Sequence, residues 1–362
     1  MARIRVGLLF GGRSVEHEVS LSSATSILQA LDPARYEVTL IAVDPDGRWH
    51  LGAGPELLPE KAVVGSEVRL PAVPGNLLLP EASSSAPARP LDVVFPIIHG
   101  RGGEDGQLQG LLELAEIPYV GSGVLSSAVQ MDKDVTRRLL RTAGLPVVPD
   151  VVLRGADLST EGRRSAAQAA VETLGLPVFV KPANSGSSVG ISKAKDEDAL
   201  VRAIGEAARY DTKVVVEKAI DAREIEIAVL GNESPEASVP GEIVPSHEFY
   251  DYEAKYLDES TELYVPARLP EDVTKLLRSL ALEAFQALEA EGIARVDFFL
   301  ERGTGAIFIN ELNSLPGFTE SSMFPRLWAA SGLPYPALLD RMIDLALERH
   351  ARRSRLETRF RP

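Results

Sequence analysis

Two short stretches carry the residue types and spacing that point most directly to chemistry: Ala294-Arg-Val-Asp-Phe-Phe-Leu300 and Ala306-Ile-Phe-Ile-Asn-Glu-Leu-Asn313. Both are rich in Phe, Ile, Val and Leu, and Gly303-Thr304-Gly305 between them supplies three-residue hairpin chemistry. Folding the pair about Thr304 sets Asp297 opposite Glu311 and Arg295 opposite Asn313. Residues two apart share a face, so all four side chains project from one side of the sheet. Two like charges directly across an antiparallel pair repel. The placement makes sense around a divalent cation, because two carboxylates and an amide oxygen are hard ligands suited to Mg2+ rather than zinc or copper. The alternative is a surface hairpin with scattered polar residues, and a one-residue bulge would break this register. The exit Asn313-Ser-Leu-Pro-Gly317 is a turn, so the acidic end leads into a loop rather than more sheet.

Further constellations lie upstream. Lys181-Pro-Ala-Asn-Ser-Gly-Ser-Ser-Val-Gly190 is a strand end followed by a loop of small residues, whose backbone N–H groups and hydroxyls suit phosphate oxygens. It is not a P-loop, since Lys181 precedes the loop and no Gly-Lys-Ser/Thr follows. Alone it is a turn; joined to a Mg2+ hairpin and an aligned lysine it becomes a nucleoside triphosphate site. Val216-Glu-Lys-Ala-Ile220 closes a strand whose edge can pair with an adenine rim, leaving Glu217 for the exocyclic amine, although a solvated strand end is the commoner role. His247-Glu-Phe-Tyr-Asp-Tyr-Glu-Ala-Lys-Tyr256 reads as a lid or as a loop docked on a neighbouring domain. Glu16, beside the first glycine turn, either caps a helix or recognises a substrate ammonium. His99 ends an apolar strand inside a glycine-rich loop.

The elements that must position these residues follow from apolar patterning. Ile4–Phe10, a helix near Val19–Leu31 and Tyr36–Val43 form a βαβ signature, and Leu91–Ile98 reads as another buried parallel strand. Both glycine loops then fall at carboxyl strand ends, where open α/β sheets bind ligands. Residues 44–90, rich in Pro, Gly, Ala and Ser, read as strands and loops at the domain edge, and a boundary falls near Gly121-Ser-Gly123. Beyond it come a helix over Met131–Ala143, strands near Val147–Leu153 and Val178–Lys181, and a helix near Ala166–Leu174. A long helix over Glu271–Glu291 presents Val273, Leu276, Leu277, Leu280, Ala284 and Leu288 as one apolar stripe. The arginines of the terminal tail (Arg352, Arg353, Arg355, Arg359, Arg361) read as solvated.

Composition bounds the rest. The 362 residues include 45% hydrophobic and 25% charged residues, ordinary for a globular chain of two or three domains. A net charge of −14 argues against nucleic acid as a partner. The absence of Cys excludes disulfides, thiolate metal sites and cysteine nucleophiles. No apolar run approaches about 18 residues and no signal-peptide core is present, so the expectation is a cytoplasmic protein with no membrane segment.

Six motifs in order strongly resemble the D-alanine–D-alanine ligase family: Glu16-His-Glu-Val-Ser20, His99-Gly-Arg-Gly-Gly-Glu-Asp-Gly106, Met131-Asp-Lys133, Lys181 to Gly190, Tyr250-Asp-Tyr-Glu-Ala-Lys-Tyr256, and Arg295-Val-Asp297 with Asn310 to Gly317. The resemblance runs from about residue 4 to about residue 345; residues 44–90 match least. It implies an α/β, three-domain ATP-grasp fold, with an N-terminal parallel-sheet domain of the biotin-carboxylase N-terminal type over 1–123. A central subdomain over 124–217 and a C-terminal one over 218–362 follow. It further implies ATP as substrate, two Mg2+ ions with Mn2+ as a substitute, and D-alanine ligated through an acyl phosphate. Asp297, Glu311 and Asn313 match metal ligands; Lys133, Lys181 and Lys255 match phosphate contacts; Glu217, Lys218, Ile220, Glu224 and Asn310 match other ATP contacts. Glu16 with His99 matches the first substrate's ammonium site, Ser322 the second substrate's carboxylate site, and Arg295 the stabiliser of the developing oxyanion. Ser187 and Tyr256 match a link to Glu16 that closes the lid. Tyr256 favours the dipeptide over a D-lactate product, and a homodimer is the family's habit. The competing readings are a D-alanine–D-lactate or peptide ligase of the same fold, and a non-catalytic nucleotide-binding protein; a dehydrogenase lacks its glycine fingerprint.

Overall fold

The computed structural model describes residues 2–52, 91–244 and 261–357, together with the backbone of two short strands at 66–69 and 79–80. Three sheets carry the chain. The first contains β1 (Ile4–Gly11), β2 (Tyr36–Val43), β3 (Trp49–Gly52), β4 (Ser66–Arg69), β5 (Leu79–Pro80) and β6 (Val93–Pro96), in the order β5-β4-β3-β2-β1-β6. β1 is parallel to both β2 and β6, whereas β3, β4 and β5 add antiparallel ribs at one edge. The Pro- and Gly-rich stretch thus supplies edge strands. The apolar run over Leu91–Ile98 is a strand only at its centre.

The second sheet is antiparallel and pairs β7 (Asp150–Arg154), β10 (Lys213–Lys218), β8 (Val178–Pro182) and β9 (Ser192–Ala194) in that order. The third runs β14 (Glu262–Tyr264), β13 (Gly241–Val244), β11 (Ala222–Gly231), β15 (Gly292–Glu301) and β16 (Ile307–Asn313), with β12 (Glu236–Ala237) on β11. β10 pairs on both sides, with β7 and with β8, so its backbone is consumed by the ladder. Of the stretch expected to pair with an adenine rim, Val216–Ile220, the part up to Lys218 is therefore taken up by the sheet. Only the chain beyond Lys218 has backbone to offer, and Ala219 N–H already donates to Pro177 O at 3.1 Å.

The helix expected over Met131–Ala143 is present as Lys133–Thr142, and a second helix, Val124–Met131, precedes it. Asp132 separates the two: its extended backbone starts the helix Lys133–Thr142, and its carboxylate accepts from the N–H groups of Asp134 and Val135. That break sets Lys133 at the first turn, facing inward. The long helix spans Glu271–Ala287, and its stripe packs on β11 and β15 with one exception. Leu276 is 50% exposed, because it falls on the outer flank of the stripe.

The largest core joins the first sheet to the last two helices, Met323–Ala330 and Tyr335–Arg353. Phe318 sits at its centre with ring centroids 5.5–6.2 Å from Phe95, Phe324 and Tyr335. Tyr335 Oη donates to Phe318 O at 2.6 Å, which fixes the loop leading to Ser322. The helical part of the basic tail, expected to be solvated, also makes ion pairs, although Arg353 stays exposed. Arg352 and Arg353 both pair with Glu291, and Arg353 also reaches Glu113 at 2.6 Å. Arg359 and Arg361 lie outside the described residues. Arg349 is buried, stacks 4.3 Å from the Tyr119 ring and donates to Tyr119 O at 2.8 Å and to Gly121 O.

Arg349→Met should therefore leave two carbonyls unpaired and lower the unfolding free energy by about 2–3 kcal/mol. Urea denaturation followed by circular dichroism checks this; a loss below about 0.5 kcal/mol, typical of a surface substitution, would show that the helix does not need the clamp.

Candidate active site

β15 and β16 pair Arg295 with Asn313 and Asp297 with Glu311, the register expected from a fold about Thr304. The route to it differs. Beyond the site the pairing is Phe298 with Ile309 and Leu300 with Ile307, and Glu301 N–H donates to Ala306 O, so the loop spans four residues. A one-residue bulge at Asn310 then restores the register that it was expected to break. Its effect shows in the burial pattern: Ile309 and Leu312 are buried, while Asn310, Glu311 and Asn313 all lie on the open face. A regular strand would have turned Asn310 or Glu311 inward. The bulge places an extra polar residue in the site.

Arg295 occupies the space between the acids. Its Nε and Nη2 each donate to Asp297 at 2.7 Å, and Nε also lies 3.1 Å from Glu226. Burial works against the guanidinium charge, but Asp297 and Glu226 outweigh it and hold the group charged far above the ordinary range. Asn313 Nδ2 donates to Asp297 at 2.9 Å. The hard donor set fits a divalent ion. Among the described residues no three His, Cys, Asp or Glu side chains converge on one metal position, so phosphate oxygens or water must complete the shell of any ion on Asp297, Glu311 and Asn313.

Opposite this face stand two buried lysines. Lys133 donates to Ser185 O at 2.7 Å and lies 3.7 Å from Glu311; burial lowers its pKa, opposed by that carboxylate. Lys181 lies 2.6 Å from Glu217 and donates to Asn310 Oδ1 at 3.4 Å. Glu217 is also gripped by Arg137, a residue not singled out from the sequence. Burial raises the Glu217 pKa, but Lys181 and Arg137 outweigh it, so the carboxylate stays ionised. Arg137 is 1% exposed and stands one helical turn after Lys133, which is the signal that marks it.

The Gly/Ser loop reaches across to the first sheet. Ser187 Oγ donates to Glu16, and both Ser187 and Ser188 hold left-handed backbone, φ 46° and 59°. Non-glycine residues adopt this region at a cost and do so most often at functional positions. Glu16 stands at the N-cap position of the first helix but makes no capping bond, so the capping alternative does not describe it. Gly100, with φ 77°, packs against its carboxylate, where a Cβ would collide. His99 is buried between Ser23 Oγ at 3.2 Å and Leu315 O at 3.1 Å. Burial disfavours its charge, yet Glu104 at 3.9 Å and Glu16 outweigh this and raise its pKa. Glu104 was passed over in the sequence, although it lies in the same glycine loop.

These groups enclose one cavity of about 1220 Å³. Lys218, Ile220, Glu224 and Ser322 also line it, with Ser322 at the amino end of the helix Met323–Ala330. Of the residues proposed from sequence, Lys255 and Tyr256 lie outside the described residues, together with the rest of the Tyr-rich loop.

A charged cavity between two antiparallel sheets, with a Gly/Ser loop on one and a carboxylate hairpin on the other, fits an ATP-grasp ligase. Residues 5–122 match the family model described as the D-ala D-ala ligase N-terminus and residues 139–344 that of the D-ala D-ala ligase C-terminus. The chain is 54% identical to D-alanine–D-alanine ligase A of Chromobacterium violaceum, over 96% of each, and 48% identical to that of Escherichia coli, over 99% of the chain and all of the relative. The solved D-alanine-D-alanine ligase from Coxiella burnetii superposes with a TM-score of 0.84 at 38% identity, covering 98% of this chain and 97% of that one. The VanG D-Ala:D-Ser ligase of Enterococcus faecalis also gives 0.84, at 34% identity, covering 95% and 100%. The chain belongs to the D-alanine–D-alanine ligase family.

Glu104→Gln removes the carboxylates' main hold on His99, so the His99 ring should titrate at lower pH. The imidazolium, held to higher pH in the parent, would lose its proton and its contribution to stability earlier as pH rises. NMR of the ring nitrogens reads this directly; an unchanged titration would show that Glu104 is not the cause.

Proposed function

We propose that the protein joins two D-alanine molecules into D-alanyl-D-alanine with cleavage of ATP to ADP and phosphate, for peptidoglycan precursor synthesis. The observation that carries the reading is the Ser187–Glu16 contact, which draws the phosphate loop onto the proposed ammonium site of the first amino acid. The first D-alanine lies with its ammonium on Glu16, assisted by the His99 region, and its carboxylate toward Arg295. An oxygen of that carboxylate attacks the γ-phosphorus, and ADP leaves. Lys133 and Lys181 balance the triphosphate charge, and Lys255 belongs to the same set. Lys218, Ile220, Glu224 and Asn310 surround the nucleotide; Glu217 acts there chiefly by holding Lys181. Mg2+, with Mn2+ as a substitute, would be held as two ions by Asp297, Glu311 and Asn313, and supplies charge neutralisation for the transferring group.

The amine of the second D-alanine, having lost a proton, attacks the acyl carbon. Its carboxylate suits Ser322, where unpaired helix N–H groups and the helix dipole favour an anion. Arg295 faces the oxyanion as the tetrahedral intermediate forms. That intermediate then expels phosphate with the former carboxylate oxygen, and the amide remains. Tyr256 would complete the Ser187–Glu16 link when the lid closes. The reading includes a cytoplasmic homodimer; no helix among the described residues is long and apolar enough to cross a membrane.

With Mg-ATP, phosphate release should depend on D-alanine and match dipeptide formed, one to one. Mass identification of products in mixtures of D-alanine with D-serine or D-lactate separates this from the D-Ala:D-Ser and depsipeptide alternatives, and a mixed product as the major species would overturn it. Glu311→Ala should abolish turnover with the fold retained; unfolding instead would make Glu311 a structural residue. Arg295→Met should lower kcat by about 10²–10³, the size of a lost oxyanion contact. An unchanged kcat would remove Arg295 from the transition state.

A further inference from the structure

Three carboxylates stand in one row across the third sheet. Glu226 on β11 is directly opposite Asp297 on β15, which is directly opposite Glu311 on β16. Side chains opposite one another in a ladder share a face, and like charges there repel. Glu226 is the most buried, its side chain 5% exposed against 13% for Asp297 and 25% for Glu311. Asp297, Glu311 and Asn313 make up the proposed metal set, so the row holds one acid more than that set needs. The three do not converge on a common metal position.

Arg295 divides the row. Its Nε donates to Asp297 Oδ1 at 2.7 Å and forms an ion pair with Glu226 Oε2 at 3.1 Å. Asp297 cannot give the same two oxygens at full strength to a guanidinium fork and to a divalent ion. With Asp297 as its only anchor, Arg295 would be loosened by the ion that the reaction needs. We propose that Glu226 is a positioning residue for Arg295: it keeps the guanidinium by its Nε edge when Asp297 turns to the metal, leaving the two Nη groups for the substrate's acyl oxygen. Glu226 lines the cavity but stands behind Arg295, one strand further from the proposed metal set than Asp297. The inference rests on the reading of Arg295 as the oxyanion stabiliser. Glu224, on the same face of β11, lies opposite Phe299, two rows from Arg295, which pairs with Ala228.

The test compares the full-length parent with Glu226→Gln, Glu226→Asp, Arg295→Lys and the double variant Glu226→Gln/Arg295→Lys. Steady-state phosphate release gives kcat and KM, and electron paramagnetic resonance of Mn2+ in the presence of ADP gives ion affinity without turnover. For Glu226→Gln, kcat should fall about tenfold or more while the KM for ATP and the Mn2+ dissociation constant stay within about twofold. Glu226→Asp, which keeps the charge, should recover part of the loss. In the Arg295→Lys background Glu226→Gln should cost less than about threefold, because the group that it positions has been replaced. A loss of Mn2+ affinity parallel to the loss of kcat would make Glu226 a metal ligand instead. An unchanged kcat, or full additivity in the double variant, would overturn the proposal as well. Should Glu226→Gln not fold, as judged by circular dichroism, the charge-retaining Glu226→Asp bears the comparison, with retained Mn2+ affinity and reduced kcat expected. A parent that binds Mn2+ and ADP but gives no D-alanine turnover would refute the functional reading rather than this one.

Discussion

The electrostatic constraint on which the structure depends is the row Glu226, Asp297 and Glu311, three carboxylates on adjacent strands facing one cavity. Such a row persists only with positive charge among its members. Arg295 lies between the first two, and Lys133 approaches the third at 3.7 Å. The cations opposite need acids of their own, which is the part played by Glu217 between Lys181 and Arg137. The site is thus an alternation of buried charges, each held by its neighbours, and a polyanion with its metal ions fits it by exchanging some of these contacts. Buried ion pairs contribute little net stability, so this arrangement is better explained by what it binds than by what it stabilises.

Local backbone devices bring the charges to one place. The bulge at Asn310 turns three polar side chains of one strand to the same face. The helix break at Asp132 aims Lys133 into the cavity, and Lys213 secures the break by pairing with Asp132. Left-handed backbone at Ser187 and Ser188 carries the loop to Glu16. Each device departs from regular structure, and each is braced by continuous apolar packing nearby. The core around Phe318 joins the first sheet to the two last helices, and the arginines of the last helix lock it to Tyr119, Gly121 and Glu291. Glu16 and Glu311, the residues proposed for the substrate ammonium and the metal, therefore sit on one continuous framework.

Much of this was legible in the sequence because the hairpin residues alternate with period two and the glycine loops follow apolar strands. The register of Asp297 and Glu311 followed from the position of Thr304, although the miscounted loop and the one-residue bulge cancelled. What escaped had tertiary causes. Glu226 and Arg137 look like ordinary surface charges until β11 is paired with β15 and the helix from Lys133 is docked on the second sheet. Glu104 acts only through the fold of its loop. Leu276 fits the helical stripe by spacing, yet its neighbours leave half of it exposed. Of the edge expected at Val216–Ile220, the residues up to Lys218 are taken up by the sheet, because a strand's place is decided by distant partners, here β7 and β8. The roles given to Lys255 and Tyr256 came from the resemblance to a family, and both lie outside the described residues.

The central claim is that the cavity activates a carboxylate by transferring phosphate to it, with the charges above arranged for that transfer. D-alanine labelled with 18O in its carboxyl group tests it most directly, by mass analysis of the phosphate released during dipeptide formation. An acyl phosphate leaves with the bridging carboxylate oxygen, so the account predicts one 18O in each phosphate derived from labelled first substrate. Phosphate free of label, alongside labelled dipeptide, would contradict it.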